Sequence, residues 1–167
     1  MRKWLLVAGL LLATPTLAAV ALQQSVESLA RSSDAVVRGT VQRRTAHWEG
    51  GRIFTEVEVQ VAEVWRGKAP AKVTLSVPGG EVGKIGQWVP GAPSFSDAED
   101  VAVFLKQGDR GRYGVTGLAL GKFSLAGKTA FPKLEGVLVL PAQLPARERA
   151  IEPMGAAELQ SRVRSAR

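Results

Sequence analysis

Cysteine is absent from this 167-residue sequence, and histidine occurs once, as His47. The lack of cysteine excludes disulfides, thiolate metal sites, cysteine nucleophiles and a lipid anchor attached to cysteine. A single histidine excludes a metal site built on a pair or triad of histidines. Neither the G-x-S-x-G nor the S-x-x-K motif of serine hydrolases occurs. We therefore expect no catalytic site, no metal and no cofactor, and we interpret the protein as not being an enzyme.

Paired carboxylates are the remaining candidates for acid–base chemistry. Glu56 and Glu58 lie two positions apart, so they share one face of a strand. Glycosidases place their two carboxylates across a cleft, and an outer sheet face offers little desolvation to shift a pKa. Asp97, Glu99 and Asp100 form a second acidic group, which lacks the D-x-D-x-D-G spacing of a calcium loop. We interpret both groups as solvated surface, and an enzyme acting on envelope glycans stays as an alternative.

The beginning of the sequence has the three regions of a secretory signal peptide. Met1-Arg2-Lys3 is basic, Trp4–Leu12 is apolar, and Ala19-Val20-Ala21 has the small-x-small pattern that signal peptidase accepts. The apolar run is shorter than the ~18–20 residues that a membrane-spanning helix needs. We predict a signal peptide over residues 1–21 with cleavage after Ala21, or alternatively after Ala18. The protein is then periplasmic or extracellular, and touches the membrane only through the cleaved segment.

Export determines which partners the positive charge of the chain can attract. The whole sequence has 22 basic and 15 acidic residues, a formal charge of +7. Loss of Arg2 and Lys3 with the leader leaves 20 basic residues, and thus a charge of +5. A basic protein outside the cytoplasm meets anionic polymers and acidic proteins. We therefore expect an unknown protein or an anionic envelope polymer as partner, and we do not expect nucleic acid.

A short helix is predicted at each end of the exported chain. Residues 22–33 contain the first, which Ser25 caps and whose apolar residues recur at helical spacing. Residues 141–167 form a linker and a second helix, which we expect to begin at Pro153. The first helix has one apolar stripe to bury, whereas the second is polar and either packs on the barrel or contacts a partner.

Residues 34–140 show the alternation of β-strands. The main predicted strands cover residues 35–43, 53–61, 73–77, 101–105 and 113–120, with shorter ones at 123–125, 129–131 and 136–140. The sequence Glu49-Gly50-Gly51-Arg52 predicts a hairpin turn, and the phase shift over Val61–Trp65 predicts a bulge or a sharp bend. No long helix separates the strands, which favours an antiparallel sheet. We predict a mainly β fold, a small antiparallel OB-like β-barrel, with a β-sandwich as the alternative.

Two segments carry a resemblance to a known family. The first is Asp34-Ala35-Val36-Val37-Arg38-Gly39-Thr40-Val41, and the second is the strand end Val61-Ala62-Glu63-Val64-Trp65-Arg66-Gly67. Residues 34–77 thereby resemble the barrel start of netrin-like domains, which include the tissue inhibitors of metalloproteinases. The resemblance implies an OB-fold and an accessory or inhibitory role towards a secreted protease. The N-terminal cysteine with which those inhibitors ligate zinc has no counterpart here. The whole pattern also resembles uncharacterised exported bacterial proteins.

One long connection is unusual in composition. Gly79–Phe95 contains Trp88 and Phe95 among glycines and is longer than most connections in a compact domain. Its Gly83-Lys84 pair does not complete a phosphate-binding loop, because Pro78 and Ile85 occupy positions that need glycine and serine or threonine. Such a connection either binds a ligand or folds back to plug one end of a barrel. The candidate binding residues are Gly83, Lys84, Gln87, Trp88 and Phe95.

These observations favour one class of function over two others. We expect an exported, non-enzymatic binding or interaction domain, which uses the Gly79–Phe95 connection or a basic face. Trp48 and Trp65 are further candidates, because an aromatic ring can stack on a sugar or a base. The resemblance to netrin-like domains implies the protease-inhibitor alternative, and the paired glutamates imply the glycan-acting enzyme.

Overall fold

The computed structural model describes residues 19–166, so residues 1–18 of the predicted leader (residues 1–21) lie outside the described residues. Strands account for 51% of the described residues and helical residues for 16%, which confirms the mainly β prediction. The strands are β1 (Ala19–Leu22), β2 (Ala35–Glu49), β3 (Arg52–Gly67), β4 (Lys72–Pro78), β5 (Gly80–Val82), β6 (Ile85–Gln87), β7 (Asp100–Gln107), β8 (Tyr113–Val115), β9 (Lys122–Ala126), β10 (Thr129–Pro132), β11 (Val137–Leu140) and β12 (Met154–Gly155). The α-helices are α1 (Val26–Ser32) and α2 (Ala156–Ser165).

One large mixed sheet organises the described residues. Its strand order is β12-β10-β9-β7-β2-β3-β4-β8, and β7 also pairs with β8. The pairings therefore run from β7 through β2, β3, β4 and β8 back to β7. Within this sheet β4 and β8 are parallel, at Leu75 and Tyr113, and the other pairings are antiparallel. The expectation of a purely antiparallel sheet is thus wrong at β8. Two small sheets, parallel β1-β11 and antiparallel β5-β6, stand apart from it.

The β2–β3 hairpin follows the sequence pattern closely. Gly50 and Gly51 form its turn with φ of 58° and 78°, a conformation that glycine adopts without steric cost. Val36 pairs with Arg66 but Val37 pairs with Val64, so Trp65 is an extra residue on β3. Ala62 is a second extra residue on β3, because Arg38 pairs with Glu63 but Gly39 pairs with Val61. Both bulges fall in the segment where the hydrophobic alternation changes phase, which confirms that prediction.

Two hydrophobic cores lie on opposite faces of the sheet. The helix-side core packs α1 and α2 against the sheet and consists of Val26, Leu29, Ala30, Val36, Trp65, Ala102, Phe104, Leu120, Phe123, Ala130, Met154, Leu159, Val163 and Ala166. The strand-side core consists of Ala35, Val37, Val41, Val57, Val59, Val73, Leu75, Val77, Phe95, Val101, Val103 and Leu105. Strand β7 supplies both cores, and its residues 101–105 are fully buried. A strand buried on both faces is apolar throughout, as its sequence indicated.

Helix α1 is stabilised both by a capping residue and by burial in the helix-side core. Ser25 caps α1, since its hydroxyl accepts a hydrogen bond from the backbone N–H of Ser28 at 3.0 Å. Val26 and Leu29 of α1 are buried in the helix-side core. Helix α2 begins at Ala156 instead of Pro153, because Met154 and Gly155 pair with β10 as strand β12. Pairing with a neighbouring strand here outweighs the tendency of proline to begin a helix.

Three other predicted boundaries are corrected. The predicted strand 113–120 ends at Val115, because Gly117 and Leu118 have φ of 69° and 54° and begin a 3-10 turn. The connection Gly79–Phe95 contains the β5–β6 hairpin. Strand β1 was not predicted and lies in residues that the sequence assigned to the leader and the first helix.

No helix among the described residues is long and apolar enough to cross a membrane.

Candidate functional site

A groove of about 530 Å³ lies on the outer face of β3 and β4. The end of β2 supplies His47, Trp48 and Glu49, while Glu56 of β3 and Thr74 of β4 form its floor. The turn after β7 closes the other side with residues 110–112. We call this the Trp48 groove. Its walls are thus the β2–β3 hairpin and the β7–β8 turn, which the sheet brings side by side.

Glu49 is the centre of an ion-pair cluster in the groove. Its two carboxylate oxygens accept hydrogen bonds from Arg112 at 2.8 and 2.9 Å. Arg110 Nη1 lies 3.2 Å from Glu49 Oε1, and His47 Nε2 lies 3.5 Å from Oε2. The hydrogen bonds from Arg112, with the nearby charge of Arg110, lower the pKa of Glu49 to about 2. The carboxylate is therefore ionised at any physiological pH and fixes both arginines at the rim.

Two side chains of the groove remain available to a ligand. The Trp48 side chain is half-exposed, and Arg110 is 77% exposed even though it contacts Glu49. Arg110 has φ of 55°, a left-handed conformation that is uncommon for residues other than glycine. Arg112, by contrast, is 18% exposed and is occupied by Glu49 and by Glu56 at 3.5 Å. The groove thus presents an aromatic surface next to a cation that is anchored on one side.

The two glutamates of β3 each lie beside a basic side chain. Glu58 lies 2.5 Å from Lys72 Nζ, and this hydrogen bond lowers the pKa of Glu58. A general acid needs a raised pKa, which burial or a neighbouring anion would provide. Glu56 faces Arg112 across the groove. Both carboxylates therefore lie beside cations, and Glu56 shares Arg112 with Glu49 of the same groove. Among residues 19–166 there is also no group of three or more histidines and acidic residues that could hold a metal ion.

The candidate residues of the Gly79–Phe95 connection are divided between surface and interior. Gly83 and Lys84 form the tip of the β5–β6 hairpin, where Gly83 has φ of 64°. Gln87 fixes the hairpin to β3, since its side-chain oxygen accepts a hydrogen bond from the N–H of Ile53 at 3.0 Å. Trp88 is 63% exposed, whereas Phe95 is 6% exposed. Gln87 and Trp88 therefore lie together along a groove of about 430 Å³, whereas Phe95 packs in the strand-side core.

Part of this connection closes one end of the strand-side core. Thr55 donates a hydrogen bond to the carbonyl of Gly79 at 2.7 Å, and the N–H of Gly79 donates to Ile53. A cavity of about 200 Å³ lies beneath, and Phe95 and Val57 contribute to its lining. The ammonium of Lys122 lies 5.3 Å from the centre of the Phe95 ring. Phe95 thus packs in the strand-side core, and Trp88 is the exposed one of the two aromatics.

An apolar strip faces solvent on the β1–β11 sheet. Val20 and Leu22 of β1 lie beside Leu138 and Leu140 of β11 in register. Between 40% and 64% of each of these side chains is exposed. The Trp88 ring packs near Gly136, the residue before β11. Sequence reasoning missed this strip because it did not predict β1.

The sequence contained weak signals for the Trp48 groove. Trp48 was singled out together with Trp65, but Trp65 is 6% exposed and packs in the helix-side core, so that part of the prediction is wrong. Glu49, Arg110 and Arg112 were not singled out. Two arginines in a glycine-containing turn directly after a buried strand are a pattern of exposed positive charge. Their pairing with Glu49 depends on the contact between β7 and β8, which the sequence does not encode locally.

In comparisons with known proteins, the chain matches no family model, and no curated protein or solved structure is significantly similar to it. The similarity to netrin-like domains stays a prediction from residues 34–77.

Proposed function

We propose that the protein is an exported, non-enzymatic binding domain that holds an anionic envelope polymer in the Trp48 groove. One observation carries the proposal: the half-exposed indole of Trp48 shares a groove with the exposed guanidinium of Arg110. An indole stacks on the apolar face of a sugar ring, and a guanidinium pairs with carboxylate or phosphate. A charged polysaccharide has both groups.

The pairing of the strands supports this location. We propose that β2, β3, β4, β8 and β7 form an OB-like barrel, because their pairings return from β8 to β7. OB-folds bind oligosaccharides and oligonucleotides across their second and third strands and the adjoining loops. In this chain the second and third strands of the set are β3 and β4, where the groove lies. Export favours the saccharide over the nucleic acid.

The ion pairs in the groove favour a preformed site. Glu49 fixes Arg112 through two hydrogen bonds, and Arg110 through one contact, before any ligand arrives. Groups that are held in place lose little conformational entropy on binding. Because Glu49 and Glu56 offset the charge of the arginines, we expect moderate affinity, and we expect this affinity to fall as the salt concentration rises.

The test is binding of the purified protein to a polyuronic acid, with neutral dextran as the control polymer. We expect binding to the polyuronic acid, and a loss of about tenfold in affinity for Trp48→Ala, since one stacking contact is worth about 1–3 kcal/mol. Arg110→Gln should weaken binding and reduce its salt dependence. Trp88→Ala is the matched control, because Trp88 is also an exposed tryptophan but lies outside the Trp48 groove.

Two outcomes would contradict the proposal. The first is equal or absent binding of both polymers. The second is unchanged affinity in Trp48→Ala. If Trp88→Ala and Leu138→Ser instead abolish capture of a protein from an envelope extract, the apolar strip is the interaction surface and the partner is a protein.

A further inference from the structure

The residues between the two predicted cleavage points, Ala19 to Ala21, belong to strand β1. Ala19–Leu22 pairs in parallel with Val137–Leu140 over four residues. Hydrogen bonds hold both ends, because the N–H of Ala19 donates to Gly136 at 2.9 Å and the N–H of Gln23 donates to Leu140 at 2.8 Å. The strand is therefore an integral part of the folded domain from Ala19 onwards.

The side chains of β1 fit the places that they occupy. Ala19 and Ala21 alternate with the exposed Val20 and Leu22. Ala21 packs against the helix-side core. A Cβ at Gly91 would lie 2.9 Å from the Cβ of Ala19, so the two backbones approach closely. Small residues at these inner positions are what permits the contact.

The two cleavage points have different consequences for this strand. Cleavage after Ala21 would remove three of the four residues of β1. Val137–Leu140, whose pairing among the described residues is with β1, would lose its neighbour. Backbone groups that lose their partners and the apolar surface around Val139 would then be exposed to water. Cleavage after Ala18 leaves every pairing of β1 in place.

We propose that signal peptidase cleaves the bond between Ala18 and Ala19, so that Ala19 is the first residue of the mature protein. The proposal rests on export, which is part of the proposed function. Hydrolysis adds the hydroxyl of water to the Ala18 carbonyl and a hydrogen to the Ala19 nitrogen. The new ammonium of Ala19 keeps a donor for the carbonyl of Gly136. Thr16-Leu17-Ala18 supplies small residues at the first and third positions before the bond.

The test is the intact mass of the protein recovered from the exported fraction of bacteria that express the full chain. The expected product begins at Ala19. A product that begins at Leu22 overturns this inference and leaves export intact. Uncleaved protein in the cytoplasmic fraction overturns export, and with it both proposals. The two cleaved products differ by three residues, a difference that intact-mass measurement resolves.

A second measurement tests the physical reason independently of processing. Two chains without a leader, one starting at Ala19 and the other at Leu22, are each preceded by a single methionine and compared by urea unfolding. We expect the shorter chain to unfold at a lower urea concentration and to show faster amide exchange over Val137–Leu140. Equal stability and equal exchange would contradict the assignment of β1 to the mature domain.

Discussion

The ammonium of Lys122 lies 2.6 Å from Glu99 Oε1 and is almost wholly shielded from water, with its side chain 1% exposed. Ser124 completes the cluster, accepting a hydrogen bond from Lys122 at 2.8 Å and donating one to Glu99 at 2.6 Å. Serine beside lysine is a known nucleophile–base pair. Here the serine is 3% exposed and its proton is directed to Glu99, so the cluster is a buried ion pair that joins β9 to the segment before β7.

Substitution of Lys122 should therefore lower the free energy of unfolding substantially. We expect Lys122→Met to destabilise the protein by about 3–5 kcal/mol, because the substitution leaves the largely buried carboxylate of Glu99 without its main partner. The double variant Lys122→Met, Glu99→Gln should recover part of this loss. Urea unfolding measures both values. Lys106→Met is the matched control: its partner Asp34 is exposed, so we expect a loss of less than about 1 kcal/mol. A cost for Lys122→Met no greater than that of the control would show that the cluster does not stabilise the fold.

The cluster of Lys122, Glu99 and Ser124 also makes the stability of the fold depend on pH. Burial of Glu99 disfavours its charge, but the hydrogen bonds from Lys122, Ser124 and the N–H of Ser96 outweigh burial and lower the pKa to about 2. The unfolded chain takes up this proton near 4.5, so the stabilisation is complete above that pH and is lost as the pH falls towards 2. We expect a loss on the order of 2 kcal/mol from this group, measured by urea unfolding between pH 6 and pH 2. Glu99→Gln should reduce the change in the free energy of unfolding between pH 6 and pH 2. If this variant loses as much stability as the unsubstituted protein over that range, Glu99 is not the group responsible.

The sequence encodes the hairpin β2–β3 locally, and for this reason it could be predicted. Gly50 and Gly51 specify the turn, and the valines of β3 alternate at the period of a strand. The extra residues Ala62 and Trp65 lie where that alternation changes phase. In each case neighbouring residues carry the signal, so no knowledge of distant contacts is needed.

Strand β1 and the Trp48 groove depend on contacts between distant parts of the chain. Ala19–Leu22 is extended because Val137–Leu140 lies beside it, and its small apolar residues equally fit the end of a leader. The groove joins Glu49 with Arg112, which are 63 positions apart. Their proximity follows from the pairing of β7 with β8, which no local pattern indicates. Residue types alone suggested Trp48 but gave no reason to place the arginines next to it.

A close approach of backbones at Gly39 gives a third prediction. A Cβ at this position would lie 2.2 Å from the carbonyl oxygen of Gln60, within the bulged part of β2 and β3. Since a backbone atom cannot move aside cheaply, we expect Gly39→Ala to cost about 1–3 kcal/mol. Gly114→Ala is the control in β8, where the nearest atom would be 3.9 Å away. Thermal unfolding of both variants checks this, and a control that loses as much as Gly39→Ala would mean that strand glycines matter here for another reason.

Helix α2 belongs to the folded domain, and one buried residue tests this. Leu159 of α2 is fully buried in the helix-side core, to which Leu29 of α1 also contributes. Arg162 joins the same two helices, since it donates hydrogen bonds to both carboxylate oxygens of Glu27 at 2.7 and 2.8 Å. We expect Leu159→Ala to destabilise the protein by about 2–4 kcal/mol, because it leaves a cavity between helices and sheet. The exposed Glu158→Ala should change the free energy of unfolding by less than about 0.5 kcal/mol. Equal effects of the two substitutions in urea unfolding would mean that α2 is not held by this core.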